Sequence, residues 1–506
     1  MNEFLQGLQM FFTTEIIGLV LLGGLAGLFV GAIPGLNDTN ILTLFLAFVV
    51  YLDPFPGVIM MVALFVASQT AGSIPAILMN IPGTPSTAAT TMEGYPLTQK
   101  GMAGQALGCS FASSLTGSVC GGILALITAP IIGKFALSFG PPEMFMLAVF
   151  GMTAVAALTG SSITKGLLAA SLGLLVGCIG LDSFTGARRA TFGLVDLYGG
   201  VELVPMLLGL YGVSELFYLI YKKSIGSQSG DSEKRDISVR VQMEGFKAAF
   251  REKRAMFLSV VIGYIIGVIP GTGATIGSFA CYGYAKQASK TPEKFGTGCY
   301  EGLVATDTAN NACVPGTIVP MLTLGIPGGG TAVILLSAFM MHGLQPGPRF
   351  FSDHLVEANA IFITVVAIGI LASIAGMLTT KYMIKVVTVP TYILCPLIAL
   401  FCLLGSYLGR NRAGDLYLML AFAIIAYFFK KYQYSTATFL LGTILGPIAE
   451  PAMFRSLEIS NGSFGIFLGR PICVVLGIAS FLAISIPAYS NIKKRRQNIE
   501  LAAPED

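Results

Sequence analysis

Small polar residues follow each of four Pro-Gly pairs that lie in otherwise apolar stretches of the sequence. The pairs are Pro34-Gly35, Pro82-Gly83, Pro270-Gly271 and Pro327-Gly328. A helix that begins at such a point presents unpaired backbone N–H groups and the positive end of its dipole, and both favour a carboxylate. Carbonyl groups of the interrupted backbone suit a sodium ion. The sequence therefore predicts an anion site that needs no buried lysine or arginine.

We predict that ligand contacts come from glycines and small polar residues at these breaks and from two adjacent asparagines. The predicted substrate-binding residues are Gly35, Asn37, Asn80, Gly83, Thr84, Ser86, Thr87, Asn310, Asn311, Gly328, Gly329 and Thr331. Asn80 stands where the second half of the chain has Gly325, so the site is expected to be asymmetric. The alternative is that these residues only cap helices and line no site.

Three further residues are predicted to couple ligand binding to a sodium ion or a proton: Asp38, Thr272 and Asp307. Asp38 is the clearest of them, because an ionisable group between two apolar segments is a functional hypothesis by default. Helix capping is the alternative role for both aspartates. No metal beyond a possible sodium ion is predicted, and no organic cofactor.

The composition shows which elements must position these residues. The chain has 506 residues, of which 54% are hydrophobic and 11% charged, whereas soluble proteins have about 25% charged residues. A transmembrane helix needs about 20 apolar residues, and many stretches meet this requirement. We therefore predict an all-α polytopic membrane protein with about a dozen transmembrane segments. The apolar runs 39–52 and 331–341 are too short to cross alone and are predicted to be half-helices or arms of re-entrant hairpins.

Two pairs of matching segments indicate an internal duplication. Gly27–Gly35 aligns with Gly263–Gly271 at an offset of 236 residues, with five of nine positions identical. Pro75–Gly83 aligns with Pro320–Gly328 at an offset of 245 residues, with four of nine identical. Broken helices at matching positions of two halves are typical of secondary transporters, and we expect inverted repeats by analogy with them.

The charge distribution separates the two halves. Nine lysines and arginines lie in 222–254, and four more follow one another in 493–496. We therefore predict an N-terminal repeat over 1–221, a cytoplasmic linker over 222–254, a C-terminal repeat over 255–490 and a basic cytoplasmic tail over 491–506. If both basic segments face the cytoplasm, the second half of the chain, which lies between them, must cross the membrane an even number of times. A horizontal or additional segment would reconcile this with inversion.

Several functional classes fit the sequence poorly. A net charge of +4 without aromatic interleaving argues against nucleic-acid binding. The nine cysteines form no CxxC pair, so neither a disulfide framework nor a zinc site is indicated. The sequence has no GxxxxGK[ST] motif for ATP. An intramembrane enzyme would need paired catalytic groups within the apolar segments, which are absent there, so we predict no enzymatic activity. A passive channel stays an alternative.

Several motifs occur together between about residues 20 and 350. They are Gly31–Gly35, Gly72–Pro75, Asn80–Gly83, Gly94–Pro96, Gly101–Gly104, Gly140–Glu143, Ala309–Ala312, Leu324–Gly328 and His342–Pro348. In this combination the chain resembles the large membrane subunit of the tripartite tricarboxylate transporter family.

The resemblance implies carboxylate import across the bacterial inner membrane. It also implies a periplasmic solute-binding protein, a small membrane subunit of about four helices, and an ion gradient as the driving force. Two features depart from the family pattern. Asn37-Asp38 stands where small or hydroxyl residues are expected, and Asp307 stands where glutamate is expected. The substrate is therefore open among citrate, another tricarboxylate, a dicarboxylate and an aromatic acid.

Overall fold

A computed structural model of the chain describes residues 2–33, 36–159, 162–182, 185–221, 236–387, 391–408 and 410–485. The described residues are mostly helical. Of the predicted linker, 222–235 lies outside them, as does the whole basic tail 491–506. The predicted domain boundaries therefore stay predictions.

The helices in chain order are α1 Asn2–Phe11, α2 Thr14–Gly31, α3 Asp38–Val49, α4 Pro54–Ala71, α5 Ser73–Met79, α6 Ala88–Gln99, α7 Ala103–Ala136, α8 Pro141–Thr159, α9 Ile163–Gly177, α10 Leu203–Leu207, α11 Ser214–Tyr221, α12 Val239–Ala249, α13 Lys253–Val268, α14 Gly273–Ala288, α15 Tyr300–Leu324, α16 Gly330–Met341, α17 Pro348–Asp353, α18 Leu355–Val387, α19 Thr391–Leu408, α20 Ala413–Lys431, α21 Thr436–Ile459 and α22 Gly465–Leu468. A π-helix, Leu208–Val213, joins α10 to α11, and a 3₁₀ helix, Pro85–Thr87, precedes α6. Two short strands, β1 Gly180–Leu181 and β2 Arg188–Arg189, pair antiparallel with Gly180 opposite Arg189.

Six helical segments in the described parts of the chain are long and apolar enough to cross a membrane: Thr14–Gly31, Pro54–Met79, Ala103–Ala136, Leu355–Met383, Ala413–Lys431 and Thr436–Ile459. Shorter apolar helices accompany them, including α3 and α16. These two have 12 residues each, a length of about 18 Å against the roughly 30 Å of a bilayer core. They are the short segments that the sequence predicted. The expected dozen crossings stay a prediction.

Contacts divide the chain into two units. The first consists of Met1–Leu137 and Leu203–Tyr427, and the second of Ser138–Glu202 and Phe428–Asp506. The second unit packs α8 and α9 against α21. Its β hairpin is fixed by Arg189, whose guanidinium lies 2.9 Å from a carboxylate oxygen of Asp182 and 2.5 Å from one of Glu450. All of the predicted site residues belong to the first unit.

Close helix contacts in the first unit begin with α2 on α4. A Cβ atom added at Gly27 would lie 2.6 Å from the Leu64 carbonyl oxygen, and one at Gly31 would lie 2.8 Å from the Ser68 Cα. Real Cβ atoms do not approach other atoms so closely. Glycine at these two positions therefore permits the contact between the backbones.

The second half repeats this contact where α13 packs on α15. A Cβ atom at Gly263 would lie 2.8 Å from the Ala309 Cα, and one at Gly267 would lie 2.5 Å from the Cys313 carbonyl oxygen. Gly263 and Gly267 correspond to Gly27 and Gly31 of α2 at the offset of 236 residues. Their contact partners, Ala309 and Cys313, correspond to Leu64 and Ser68 at the offset of 245 residues. The aligned segments thus make corresponding contacts, although the orientation of the two repeats stays a prediction.

Hydrogen bonds at the Pro-Gly breaks repeat in the same way. The Gly83 N–H donates to the Gly72 carbonyl at 3.2 Å, and the Gly328 N–H donates to the Thr317 carbonyl at 3.3 Å. The two donors correspond to each other at the offset of 245 residues, and so do the two acceptors. In each half the chain therefore folds back onto the last part of the helix before the break, and a new helix starts there.

The helices that start after these breaks exchange partners between the repeats. The 3₁₀ helix and α6, from the first half, contact α14 and α15 of the second half. Helix α16, from the second half, contacts α3 and α4 of the first. The helices that follow the Pro82-Gly83 and Pro327-Gly328 breaks, which we call the returning helices, therefore each pack partly against the other repeat, and this arrangement sets the geometry of the site.

Candidate functional site

Asp38 is the first residue of α3 and lies buried, with 3% of its surface exposed. The preceding Asn37 caps the helix, since its side-chain oxygen accepts from the Asn40 N–H at 2.9 Å. One carboxylate oxygen of Asp38 accepts two hydrogen bonds, from the Gln69 amide nitrogen at 2.8 Å and from the Thr331 hydroxyl at 2.5 Å. Asp38 therefore joins α3 and α4 to the start of α16.

Gln69 extends this network to the other returning helix. Its amide oxygen accepts from the Ser86 hydroxyl at 3.1 Å, and the Thr84 hydroxyl oxygen lies 3.4 Å from the same atom. Sequence analysis missed Gln69. The available signal was a single amide side chain inside the apolar run of α4. We call Asp38, Gln69, Ser86 and Thr331 the Asp38 network.

Thr84 and Thr87 form a capping box just after the Pro82-Gly83 break. The Thr87 N–H donates to the Thr84 hydroxyl at 3.4 Å, and the Thr84 N–H donates to the Thr87 hydroxyl at 3.1 Å. These two predicted residues are thus engaged in starting the 3₁₀ helix. Ser86, between them, is the hydroxyl that reaches Gln69 at the shorter distance.

The Pro327-Gly328 break lies against the start of α14. The Gly273 N–H donates to the Gly328 carbonyl at 3.0 Å, and a Cβ atom added at Gly329 would lie 3.0 Å from the Gly273 Cα. Thr331 of the same break reaches Asp38. The starts of α3, α14 and α16 therefore lie together, and Gln69 connects them to the start of the 3₁₀ helix.

Asp307 is the centre of a second buried network. Its two carboxylate oxygens accept from the hydroxyls of Thr90 and Ser110, one each. Thr90 belongs to α6 and Asp307 to α15, so this bond crosses the exchanged contact between the repeats, as the bond from Thr331 to Asp38 does. No lysine, arginine or histidine in the described parts of the chain forms an ion pair with Asp38 or Asp307.

The Asn311 side chain is completely used within the second network. Its amide nitrogen donates to the Ser114 hydroxyl at 2.9 Å and to the Asp307 carbonyl at 3.0 Å, and its oxygen accepts from the Thr70 hydroxyl at 3.1 Å. Thr70 follows Gln69 directly, so α4 carries adjacent polar side chains into the two networks. In this conformation Asn311 stabilises helix packing.

Other predicted residues lie outside both networks. The Thr272 hydroxyl donates to the Ile269 carbonyl at 2.8 Å, at the end of α13. Asn80 is exposed and has a φ of 58°, and Gly325 at the matching position has a φ of 75°. Both residues end a helix in the left-handed conformation that glycine and asparagine adopt most easily. Gly35 lies outside the described residues.

Glu93 of α6 is a buried carboxylate that sequence analysis did not select. One of its oxygens accepts from the Tyr282 hydroxyl at 2.8 Å and from the Gly296 N–H at 2.5 Å. The other accepts from the Gly298 and Cys299 N–H groups, both at 2.8 Å. Glu93 thereby fixes the segment between α14 and α15 to a returning helix.

Adding a methyl group at Gly328 is expected to lower the free energy of unfolding by about 1–3 kcal/mol, as overpacking of a tight contact does. The new Cβ atom would lie 2.6 Å from both the Gly267 carbonyl oxygen and the Thr317 Cα. Gly283→Ala in α14 is the matched control, because a Cβ atom there meets nothing within 4 Å. Thermal unfolding of both variants in detergent tests this, and an unchanged midpoint for Gly328→Ala would contradict the close approach.

Comparison with known proteins places the chain in a family. A model of the tripartite tricarboxylate transporter TctA family matches residues 17–441. The chain is 32% identical over 484 residues to an uncharacterised 52.8 kDa protein of the TAR-I ttuC′ 3′ region of Agrobacterium vitis, with 94% of each chain covered. It is also 32% identical over 241 residues to an uncharacterised protein of the TAR-II ttuC′ 3′ region of that organism, covering 47% of this chain and 98% of that protein. No solved structure gives a significant match.

The family match covers both Pro-Gly breaks of each half and all of the predicted site residues. The apolar helices and this match together identify a multi-pass membrane protein that is one component of a transporter. The resemblance noted from the sequence motifs is thereby confirmed. The chain belongs to the tripartite tricarboxylate transporter TctA family.

Proposed function

We propose that the chain is the large permease subunit of a secondary active importer of tricarboxylates or related carboxylates. The observation that carries this proposal is the meeting of helix starts from both repeats around the buried Asp38. Helix starts supply positive potential without a fixed cationic side chain, which suits a carboxylate that must later be released.

The Asp38 carboxylate supplies a reason for ion coupling. A carboxylate substrate at the helix starts and an ionised Asp38 beside them would repel each other strongly in a buried site. A sodium ion or a proton at Asp38 removes this repulsion, so that substrate and cation each strengthen the binding of the other. We therefore propose symport of the substrate with sodium ions or protons.

The proposed transporter works with partners. A periplasmic solute-binding protein delivers the substrate, and a small membrane subunit accompanies the chain in the bacterial inner membrane. The family description names a tripartite transporter, which supports an assembly of three components. The resemblance of the sequence motifs supports the identity of the two partners.

An uptake assay in cells that express the chain with its partner subunits tests the proposal. We expect accumulation of labelled citrate, succinate or benzoate to fall about tenfold or more when an uncoupler or sodium removal collapses the coupling gradient. Sensitivity to the uncoupler alone identifies protons, and sensitivity to sodium removal identifies sodium. Uptake that only equilibrates the substrate, with no effect of either treatment, would show a passive channel instead.

A further inference from the structure

Asn310 has a buried side chain whose polar atoms have no protein partner. Its exposed fraction is 0%, yet neither its amide nitrogen nor its amide oxygen forms a hydrogen bond. Among the described residues it is the one side chain with both polar atoms in this condition. Buried polar groups are nearly always satisfied, so such an amide requires an explanation. The adjacent Asn311, by contrast, uses both of its polar atoms.

The helical geometry of α15 shows which way Asn310 points. On an α-helix, the residue three positions before and the residue three positions after a given residue lie about 60° to either side of it. Three residues before Asn310, Asp307 accepts from Thr90 of α6. Three residues after it, Cys313 lies directly against Gly277 of α14. Asn310 therefore points between α6 and α14, where the 3₁₀ helix that starts α6 also contacts α14 and α15.

The first repeat does not have this amide. The position that matches Asn310 at the offset of 245 residues is Phe65, which is buried with 3% of its surface exposed. An apolar side chain is thus compatible with this place in the repeated structure. Asn310 is therefore not required by the packing of the repeat, which points to a role in binding.

We infer that Asn310 is a substrate contact that donates its amide N–H groups to a carboxylate of the transported molecule, at the start of the helix formed by the 3₁₀ segment and α6. This inference rests on the proposed function. The helix start provides positive potential and favours an anion over a cation. The nearby carboxylate of Asp307 is engaged by two hydroxyls and leaves the amide free for the ligand.

Asn310→Leu and its neighbour Asn311→Leu separate a ligand contact from a structural amide. Leucine at 310 removes an unsatisfied buried amide, so the thermal midpoint without ligand is expected to rise by about 2 °C or more. The same variant is expected to lose about tenfold or more in uptake of whichever of citrate, succinate and benzoate the wild type accumulates, since a hydrogen bond to a charged group is lost. Asn311→Leu breaks internal hydrogen bonds and is expected to lower the midpoint.

The outcomes are distinct. A more stable Asn310→Leu variant with lost uptake supports the assignment. Should leucine prevent insertion, uptake alone is measured in Asn310→Ala, because the cavity that alanine leaves lowers the midpoint by itself. A variant with wild-type uptake overturns the assignment, and so does a lower midpoint, because that would show internal partners for the amide. If the wild type accumulates none of the three acids, both the proposed function and the assignment of Asn310 fail. If the wild type accumulates one of them and Asn310→Leu does so equally well, only the assignment of Asn310 fails.

Discussion

Replacing Asp38 with asparagine is expected to lower carboxylate uptake by about tenfold or more while leaving the protein folded in the membrane. Asparagine has nearly the same shape and keeps one oxygen that accepts from Thr331 or Gln69. It has no negative charge to attract a sodium ion and no carboxyl group to take up a proton. The expected loss therefore lies in coupling. The measurement is the initial uptake rate as a function of sodium concentration and pH.

A matched control separates this effect from the loss of any acid at a helix start. Asp53 also lies at a helix start, as the residue before α4, but it is exposed and its side chain makes no capping hydrogen bond. Asp53→Asn should therefore transport as the wild type does. Wild-type rates with unchanged cation dependence in Asp38→Asn would exclude Asp38 from the mechanism, whereas equal losses in both variants would indicate a general effect of acidic residues.

The duplicated breaks were predictable because their signal is local. Proline and glycine interrupt a helix wherever they occur together in an apolar run, and the two offsets found in the sequence reappear as corresponding contacts at Gly31 and Gly267. The short lengths of α3 and α16 follow from the same interruptions. The exchange of returning helices between repeats was not predictable, because no local pattern specifies which distant helix buries a given surface.

Asn80 and Gly325 share a backbone conformation that comparison of the two sequence halves did not consider. The difference of Asn80 from Gly325 predicted an asymmetric ligand contact. The structure gives both residues left-handed backbone conformations at the end of a helix. Asparagine and glycine replace each other at such positions for conformational reasons. Its role as a ligand stays a prediction.

Gln69 and Glu93 were overlooked for a common reason. Each is a single polar residue whose partners are distant in the chain: Asp38 is 31 residues from Gln69, and Gly298 is 205 residues from Glu93. A motif search finds clustered residues, whereas these two are recognised only when the fold brings their partners to them. The useful signal is a lone amide or carboxylate in an apolar segment. Burying such a group without a hydrogen-bond partner is unfavourable in free energy, so a partner is expected.

Glu93→Ala is expected to lower the free energy of unfolding by about 3–5 kcal/mol, because each donor that stays buried without an acceptor costs about 1–3 kcal/mol. Three backbone N–H groups, of Gly296, Gly298 and Cys299, and the Tyr282 hydroxyl would lose their acceptor. The measurement is thermal or denaturant unfolding in detergent. Glu293→Ala, at an exposed position in the segment that Glu93 fixes, is the control and should leave stability unchanged.

Glu93→Gln distinguishes the hydrogen-bond geometry from simple filling of space. Glutamine retains one oxygen, which serves the donors on one side, but its NH₂ group then faces the donors that contacted the other oxygen. Turning the amide over only exchanges the two sides, because Gly296 lies on one and Gly298 and Cys299 on the other. We therefore expect a loss intermediate between wild type and Glu93→Ala. A glutamine variant as stable as the wild type would mean that the N–H groups find other acceptors and that Glu93 does not fix this segment.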